Sequence, residues 1–274
     1  MKDLKELLKE KYTDLAKQAD LINPSSCCGG GTCSNTAALL NKGKDKNEAD
    51  SGIKINFKKG NPIQYTPIQS GEVVVDLGSA MGHDCFIARN KVGDSGLVIG
   101  LDITEAMIKV ANNSCDKHGF QNVQFRLGDI ENMPIASQKA DVVISDNTFR
   151  MLPDKKRGVS EIYRILKSKG RFCISDIFWK GTYSESALKA AEEWVGDMSE
   201  SIPKDLFLSM LQMQGFSNIQ VMSEEEIIIP DEVLLDFMSD SELVAFNKSN
   251  SGIFLVTIYG DKPDCGQCSS CTCM

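Results

Sequence analysis

The residues best suited to chemistry are cysteines that crowd the two ends of the chain. Near the start, "SSCCGGGTC" contains Cys27, Cys28 and Cys33, and the last ten residues, "CGQCSSCTCM", contain four more. The tail spacing C-x2-C-x2-C-x-C lets several thiolates converge on one soft ion, and it matches neither a zinc ribbon nor a ferredoxin run. An untethered end that oxidises on handling is the alternative. The predicted soft-metal ligands are Cys27, Cys28, Cys265, Cys268, Cys271 and Cys273.

Four aspartates form a second set, because each lies at or just after the end of an apolar run. Asp76 ends "VVVD", Asp102 ends "LVIGLD", Asp129 follows "VQFRLG" and Asp146 ends "VVISD". Helical patterns separate these runs, which indicates parallel strands whose ligands bind beyond their carboxyl ends. One such aspartate could simply cap the next helix. Four at successive strand ends indicate a ligand site along one edge of the sheet.

The first of these strands leads into a glycine-containing turn, "VDLGSAMGHDCF". Gly78 permits a tight turn off the strand, and Gly82 lets the next helix begin close by. The dinucleotide fingerprint G-x-G-x-x-G lacks its middle glycine, because Ala80 stands there. Since that glycine admits a pyrophosphate, the turn indicates a cofactor without one. Asp102 is at the strand end where an acidic side chain accepts the ribose hydroxyls.

The alternation of strands and helices predicts an α/β fold with a Rossmann-like, doubly wound, seven-stranded mixed sheet. An N-terminal helix and extended segment precede this sheet, and a small C-terminal cap accompanies its last strands. The predicted division is 1–70 for the N-terminal segment, 71–180 for the core, 181–262 for the cap with two strands, and 263–274 for the cysteine-rich tail. The first helix is predicted to bury one apolar face with Leu4, Leu7, Leu8, Leu15 and Ala19. A later helix is predicted over "RGVSEIYRILKSKG".

Composition narrows the class of partner. The net charge is −8, and the sequence contains no stripe of clustered basic residues, which argues against a nucleic-acid partner. The sequence contains no run of about twenty apolar residues, so no membrane span is predicted, and the N-terminus lacks an apolar signal core. We therefore predict a cytoplasmic protein with reduced thiols and a small-molecule substrate. The sequence does not indicate an oligomeric state.

The aspartates and the glycine turn resemble those of the class I S-adenosylmethionine-dependent methyltransferases, over about residues 71–176 and the last two strands. The resemblance implies S-adenosylmethionine as the cofactor. It puts Asp76 and the glycine turn at the methionine end, Asp102 at the ribose and Asp129 at the adenine. Ala80 departs from the family, where glycine is usual. The implied cofactor residues are Asp76, Gly78, Ser79, Gly82, Asp102, Ile103, Met107, Asp129, Ile130 and Ser145.

Longer stretches are similar to the arsenite methyltransferases. They include "SSCCGG", "GNPIQYTPIQSGEVVVDLGSAMGHDCFIA", "NVQFRLGDIENMPIA" and "WVGDMSESIPKDLFLSMLQMQGFSNIQV", so the resemblance runs over nearly the whole chain. In that family cysteine thiolates hold As(III). Three of the family's cysteine positions carry Lys59, Asn147 and Asp197 here, none of which offers a soft ligand. Only the Cys27–Cys28 pair stands at a matching place.

Three functions remain open at this stage. The chain could methylate thiol-bound As(III), with Cys27, Cys28 and the tail in place of the lost ligands. It could instead methylate an organic small molecule, with Asp146 or Asp197 as base or orienting group, because an oxygen or nitrogen nucleophile must lose a proton. It could also bind soft metal without catalysis on a methyltransferase fold. The first is our main prediction, with Asp146, Asn147 and Asp197 as catalytic residues.

Overall fold

The computed structural model describes residues 4–22, 60–181, 183–198, 200–249 and 251–264. Within these residues one mixed sheet has seven strands in the order β3-β2-β1-β4-β5-β7-β6, which confirms the predicted architecture. Strands β1 to β5 run parallel, and β7 lies antiparallel between β5 and β6. The strands are β1 (Val73–Leu77), β2 (Leu97–Asp102), β3 (Val123–Leu127), β4 (Ala140–Asp146), β5 (Leu166–Lys180), β6 (Ser217–Ile227) and β7 (Gly252–Asp261).

Helices cover both faces of the parallel part of the sheet. The helices of the described residues are α1 (Leu4–Ile22), α2 (His83–Val92), α3 (Glu105–His118), α4 (Lys155–Ile165), α5 (Glu185–Val195), α6 (Lys204–Gln214), α7 (Asp231–Leu235) and α8 (Asp240–Lys248). One face, with Val74 and Val98, packs on α2 and α3. The other face, with Val75 and Leu101, packs on α4 and α6. Burial on both faces explains the almost continuous apolar runs of these strands.

Helix α4 ends at Ile165, so the predicted helix over "RGVSEIYRILKSKG" is wrong in its last turn. Leu166 instead begins β5 and pairs with Ala140 of β4. The ladder then shifts register, and Lys169 adopts a positive φ of 63° before regular pairing resumes at Arg171. The strand partner of Leu166 outweighs the helix propensity of the lysines that follow it.

Helix α1 exists as predicted, and Leu4, Leu8 and Leu15 of its predicted apolar face are partly buried, but the prediction is wrong at Leu7. Leu7 is exposed, whereas Ala16 is buried and Tyr12 and Lys5 make contacts with the core domain. The helix lies on the polar carboxyl edge of the sheet and contacts α3, so charged and phenolic side chains occupy its inner face. The leucine pattern therefore indicated part of the packed face, but not the contacts of Lys5 and Tyr12.

A separate apolar cluster stands beside the carboxyl edge of the sheet. Strand β5 continues to Lys180, well past Ser175, which is the partner of Asp146 at the end of β4. Helices α5 and α7 pack on this extension around the fully buried Trp179. Helix α6, which the sequence grouped with the cap, packs instead in the main core through Phe207 and Leu211. The cap formed by α5 and α7 borders the edge where the aspartates lie.

Candidate active site

The structure brings the four aspartates together along the carboxyl edge of the sheet. The strand order β3-β2-β1-β4 puts Asp129, Asp102, Asp76 and Asp146 side by side in that sequence. Neighbouring strands lie about 4.8 Å apart, so the row is about 15 Å long. The order reverses between β1 and β4, and this switch point is where open α/β sheets bind ligands. The edge therefore has the length and the position of a nucleoside-cofactor site.

The Asp102 carboxylate joins the glycine turn to the start of α3. Its Oδ2 accepts from the backbone N–H of Ala80 at 2.9 Å, and its Oδ1 accepts from that of Thr104 at 2.8 Å. Burial raises the pKa of the Asp102 carboxyl, while the amides of Thr104 and Ala80 oppose that shift. Thr104 stands at the N-cap position of α3, but its side chain makes no capping bond.

The turn after β1 is built from consecutive unusual backbone conformations. Gly78 and Gly82 have φ of 73° and 87°, and Ala80 between them has φ of 44°. A Cβ on Gly78 would lie 2.1 Å from Thr148 Oγ1, so the turn admits glycine alone at this position. The Ser79 hydroxyl is buried and has no hydrogen-bond partner among the described residues. Such an orphaned polar atom is unusual in a fold and is typical of a ligand site.

Replacing Ala80 with glycine is expected to stabilise the protein by about 0.5–1 kcal/mol. A left-handed conformation costs an L-residue about 1–2 kcal/mol, which glycine avoids. The greater freedom of glycine in the unfolded chain cancels part of this stabilisation. Urea unfolding measures the change, with Gln138→Gly as the control, because Gln138 has a φ of 52° away from the glycine turn. The Ala80 amide that binds Asp102 is kept, so affinity for S-adenosylhomocysteine should not fall. A less stable A80G protein would contradict the strain argument.

Several predicted cofactor residues have side chains committed elsewhere. Asp76 is buried, and its Oδ2 accepts from the Cys85 thiol at 3.3 Å beneath the turn. Ser145 is fully buried, and its hydroxyl donates to Leu77 O and so joins β4 to β1. Met107 and Ile130 are also buried, and Ile130 belongs to the main core. These residues support the edge from below, and Ile103, next to Asp102, is partly exposed.

The segment after β3 is tied to α1, which the sequence did not indicate. Lys5 Nζ donates to Asp129 Oδ2 at 2.7 Å and also pairs with Glu131. Glu131 Oε1 accepts from the N–H of Asp154 at the start of α4. Glu131 therefore links three elements around the predicted adenine position. Glutamate and lysine contacts between elements this far apart in the chain leave no local sequence signal.

The end of β4 contacts the chain that enters the domain. Asp146 Oδ1 accepts from the N–H of Gly60 at 3.1 Å and from Asn147 Nδ2 at 3.0 Å. A Cβ on Gly60 would lie 2.2 Å from Ser175 Cβ, so the backbone passes tightly over β5 at this point. Asn147 has a φ of 54°, a left-handed conformation that asparagine tolerates. Lys59, which the resemblance puts at a position where the arsenite methyltransferases carry a cysteine, lies outside the described residues.

A buried arginine fastens the cap to the core. Arg150 Nη1 donates to Val195 O at 3.1 Å and lies 3.8 Å from Met198 Sδ. Its backbone N–H donates to Asp176 Oδ2, and its Nε is 3.8 Å from Asp176 Oδ1. Asp197 stands between the two cap residues that Arg150 holds. Arg150 thus fixes the loop that carries Asp197, a residue predicted to be catalytic.

The predicted metal ligands lie outside the described residues. Among the residues that the structure does describe, no group of three or more His, Cys, Asp or Glu side chains could hold a metal ion. The three cysteines described, Cys85, Cys115 and Cys173, are buried and free of disulfides. Burial raises the pKa of each of these thiols, so none is poised as a thiolate. In the same part of the chain, no helix is long and apolar enough to cross a membrane.

The residues of this edge fit a nucleoside cofactor without a pyrophosphate. The Asp102 carboxylate has lone pairs beyond the two that its backbone donors use, and carboxylates of this kind accept ribose hydroxyls. The turn contributes the Ser79 hydroxyl, which has no hydrogen-bond partner among the described residues. Its backbone lies so close to Thr148 that only glycine fits at Gly78. A doubly wound sheet that ends in one antiparallel strand pair, with such an edge, defines the S-adenosylmethionine-dependent methyltransferase class.

Comparisons with known proteins agree with this class. Residues 68–216 match the family described as Methyltransferase domain, and the chain belongs to that family. Arsenite methyltransferase of Halobacterium salinarum is 30% identical over 256 residues, covering 88% of this chain and 63% of that protein. An arsenic(III) S-adenosylmethionine methyltransferase from Chlamydomonas reinhardtii superposes with a TM-score of 0.58 at 26% identity, covering 75% of this chain and 67% of that one.

A third comparison supports the fold alone. Phosphoethanolamine N-methyltransferase 2 of Haemonchus contortus, solved in complex with S-adenosyl-L-methionine, has a TM-score of 0.62 at 16% identity, covering 96% of this chain and 61% of that one. The resemblance to class I methyltransferases, and with it the S-adenosylmethionine cofactor, is confirmed. The chain spans 63% of the length of its haloarchaeal relative.

Proposed function

We propose that this chain methylates As(III) bound by thiols, and that Cys27 and Cys28 are the thiols that bring arsenic to the cleft. The similarity to arsenite methyltransferases over 88% of the chain supports the substrate class. The observation that carries the choice of thiols is the hydrogen bond from Gly60 N to Asp146 Oδ1. The segment with these cysteines begins after α1, on the carboxyl edge, and ends at Gly60, on the same edge.

Chain length permits Cys27 and Cys28 to reach this edge. Tyr12 of α1 contacts Met151 just after β4, and Ile22 at the end of α1 lies about 15 Å further along the helix axis. Cys27 is the fifth residue after Ile22, and an extended chain covers about 17 Å over that length. The sulfur atoms of the pair can therefore return to the level of Tyr12.

The tail begins at the opposite edge of the sheet. Asp264, the last described residue, is bonded to Ser168 at 3.1 Å and paired with Lys169 at 2.8 Å, close to the start of β5. The seven residues of β4 separate this edge from the cleft by about 20 Å. Cys268 extends at most about 14 Å from Asp264. Cys265 and Cys268 therefore fall short, and only Cys271 and Cys273 have the length to reach the cleft.

The chemistry needs little from the side chains beyond positioning. When bound, S-adenosylmethionine supplies a methyl group that the positive charge on its sulfur makes electrophilic. As(III) held by thiolates already carries its lone pair, so no base has to remove a proton from it. In this proposal Asp102 and Asp129 bind the nucleoside, while Asp146, Asn147 and Asp197 shape the acceptor side, and alignment of the reacting atoms supplies most of the rate. The proposal also places the protein in the cytoplasm, where its thiols stay reduced.

Methylation of As(III) in the presence of glutathione tests the proposal. We expect turnover by the full chain, and about tenfold lower kcat/KM, or about 1.4 kcal/mol, for the C27S/C28S variant, since free glutathione replaces part of the lost thiol function. A chain ending at Asp264 should keep most of its activity, and it is the matched control for removal of thiols. Loss of activity on truncation with a fully active C27S/C28S variant would contradict this choice of thiols.

An organic acceptor is the second candidate, and one feature of the cleft favours it. By the resemblance, Asn147 and Asp197 occupy positions where the arsenite methyltransferases carry cysteines, and Asn147 Nδ2 donates to Asp146 at the end of β4. A carboxylate such as Asp197 could take the proton from an amine or hydroxyl acceptor. Binding of S-adenosylhomocysteine without any As(III) turnover, in either the full or the truncated chain, would favour this second candidate.

A further inference from the structure

Helix α1 crosses the carboxyl edge from the β3 side to the β4 side. Lys5 Nζ reaches Asp129, after β3, and the Tyr12 hydroxyl lies 3.5 Å from Met151 Sδ, after β4. The two residues are seven positions apart, which puts them on one face of a helix and about 10 Å apart along its axis. Between these two contacts the helix passes over β2 and β1, where Asp102 and the glycine turn lie. The inner face of α1 therefore covers the candidate cofactor site.

The Tyr12 phenol lies between the two halves of the cleft. The charges that act on it are Arg150, Asp102, Asp197 and Asp176. Asp102 belongs to the cofactor half, at the ribose position. Asp197 and Asp176 belong to the cap half, where Arg150 holds the cap loop. The phenol also stands where α1, which contacts Asp129 after β3 through Lys5, arrives beside Met151 after β4, so the geometry as well as the charges puts it between the two halves.

The hydroxyl of Tyr12 has a weak partner. Among the described residues its hydrogen bond is to the Met151 thioether, and sulfur of this kind is a weak acceptor. A stronger donor or acceptor on a ligand would compete successfully for the hydroxyl. Both contacts of this face, at Lys5 and at Tyr12, are to residues that border the cleft and not to the apolar core.

We propose that Tyr12 is an active-site residue whose hydroxyl lines the point where the cofactor and the methyl acceptor meet and orients the acceptor by a hydrogen bond. This inference rests on the proposed methyl transfer but not on the identity of the acceptor. Burial, with Asp102, Asp197 and Asp176 adding and Arg150 opposing, raises the pKa of Tyr12 to about 12. The hydroxyl therefore stays neutral at physiological pH, and it acts as a donor and acceptor and not as a base.

Binding of two cofactor analogues tests the position of Tyr12 without an acceptor. S-Adenosylhomocysteine lacks the methyl group, whereas sinefungin carries a protonated amine at the place of the methyl. We expect Tyr12→Phe to weaken sinefungin about tenfold and S-adenosylhomocysteine by less than about twofold, because only the ammonium group would use the phenol oxygen. Calorimetry gives both dissociation constants. Tyr259→Phe is the matched control, since its phenol, with a pKa also raised to about 12, donates to Asp261 at the opposite edge.

The outcomes separate the claim about Tyr12 from the claim about arsenic. An unchanged ratio of the two affinities in Tyr12→Phe overturns the inference. An equal loss for both ligands also overturns it, because it would mean that Tyr12 only maintains the shape of the cleft. Where As(III) is turned over, Tyr12→Phe should lower kcat/KM for the acceptor about tenfold at saturating cofactor. A wild-type chain without As(III) turnover refutes the proposed substrate, and the ratio of affinities still decides the role of Tyr12.

Discussion

Replacing Asp102 with asparagine is expected to weaken S-adenosylhomocysteine binding about a hundredfold. Each carboxylate oxygen accepts one backbone N–H, from Ala80 and from Thr104, at 2.9 and 2.8 Å. An amide group keeps the shape but turns one acceptor into a donor, so one buried N–H loses its partner and the ribose loses a charged acceptor. Loss of the charged ribose acceptor costs about 1–3 kcal/mol of binding, so a hundredfold loss, or about 2.7 kcal/mol, is expected, whereas the lost backbone partner destabilises the free and bound forms alike. Calorimetry measures the affinity directly.

The pH dependence of binding gives a second view of Asp102. Burial raises its pKa, and cofactor binding needs the carboxylate form. Affinity of the wild-type protein should therefore be full above the raised pKa and fall as the pH is lowered through it, whereas the D102N variant should lack this dependence. Asp116→Asn, on the exposed side of α3, is the control for a change of one charge. A D102N variant with wild-type affinity would refute the role of Asp102.

Replacing Gly78 with alanine is expected to destabilise the protein by about 2–5 kcal/mol and to abolish cofactor binding. The backbone has a φ of 73°, which costs an alanine about 1–2 kcal/mol. The new Cβ would also lie 2.1 Å from Thr148 Oγ1, and relieving such overpacking typically costs about 1–3 kcal/mol. Thr148 donates to Leu77 O and Asp146 O, so its displacement disturbs the ends of β1 and β4 together.

Gly119→Ala is a matched control for this substitution. Gly119 has a similar φ of 67°, but a Cβ added there would have no other atom within 4 Å. The loss there should be only the backbone cost of about 1–2 kcal/mol, with normal cofactor affinity. Urea unfolding of both variants separates backbone strain from the steric contact with Thr148. Equal losses of stability at the two positions would contradict the account of the turn.

The central sheet could be predicted from the sequence because its signals are local. Runs such as "VVVDL" and "LVIGLD" are apolar up to their final residues, as is typical of strands covered on both faces. The end of α4 could not be predicted in this way. Leu166 leaves the helix for a partner, Ala140, that lies 26 positions earlier in the chain, and no local propensity records such a pairing.

The candidate site was only partly predictable, for the same reason. The four strand-end aspartates each follow or end a predicted parallel strand, so their common edge follows from the fold class alone. Lys5 and Tyr12 reach that edge through polar contacts that the leucine pattern of their helix does not indicate. The strain at Ala80 was visible as a missing glycine, but the positive φ that makes it costly is seen only in the structure.

Calorimetric titration of the full chain with S-adenosylhomocysteine tests the central claim, that the carboxyl edge of this sheet is a cofactor site, most directly. We expect saturable binding with one ligand per chain, weakened about a hundredfold by Asp102→Asn and not by Asp116→Asn. The absence of any binding heat at millimolar ligand would contradict it.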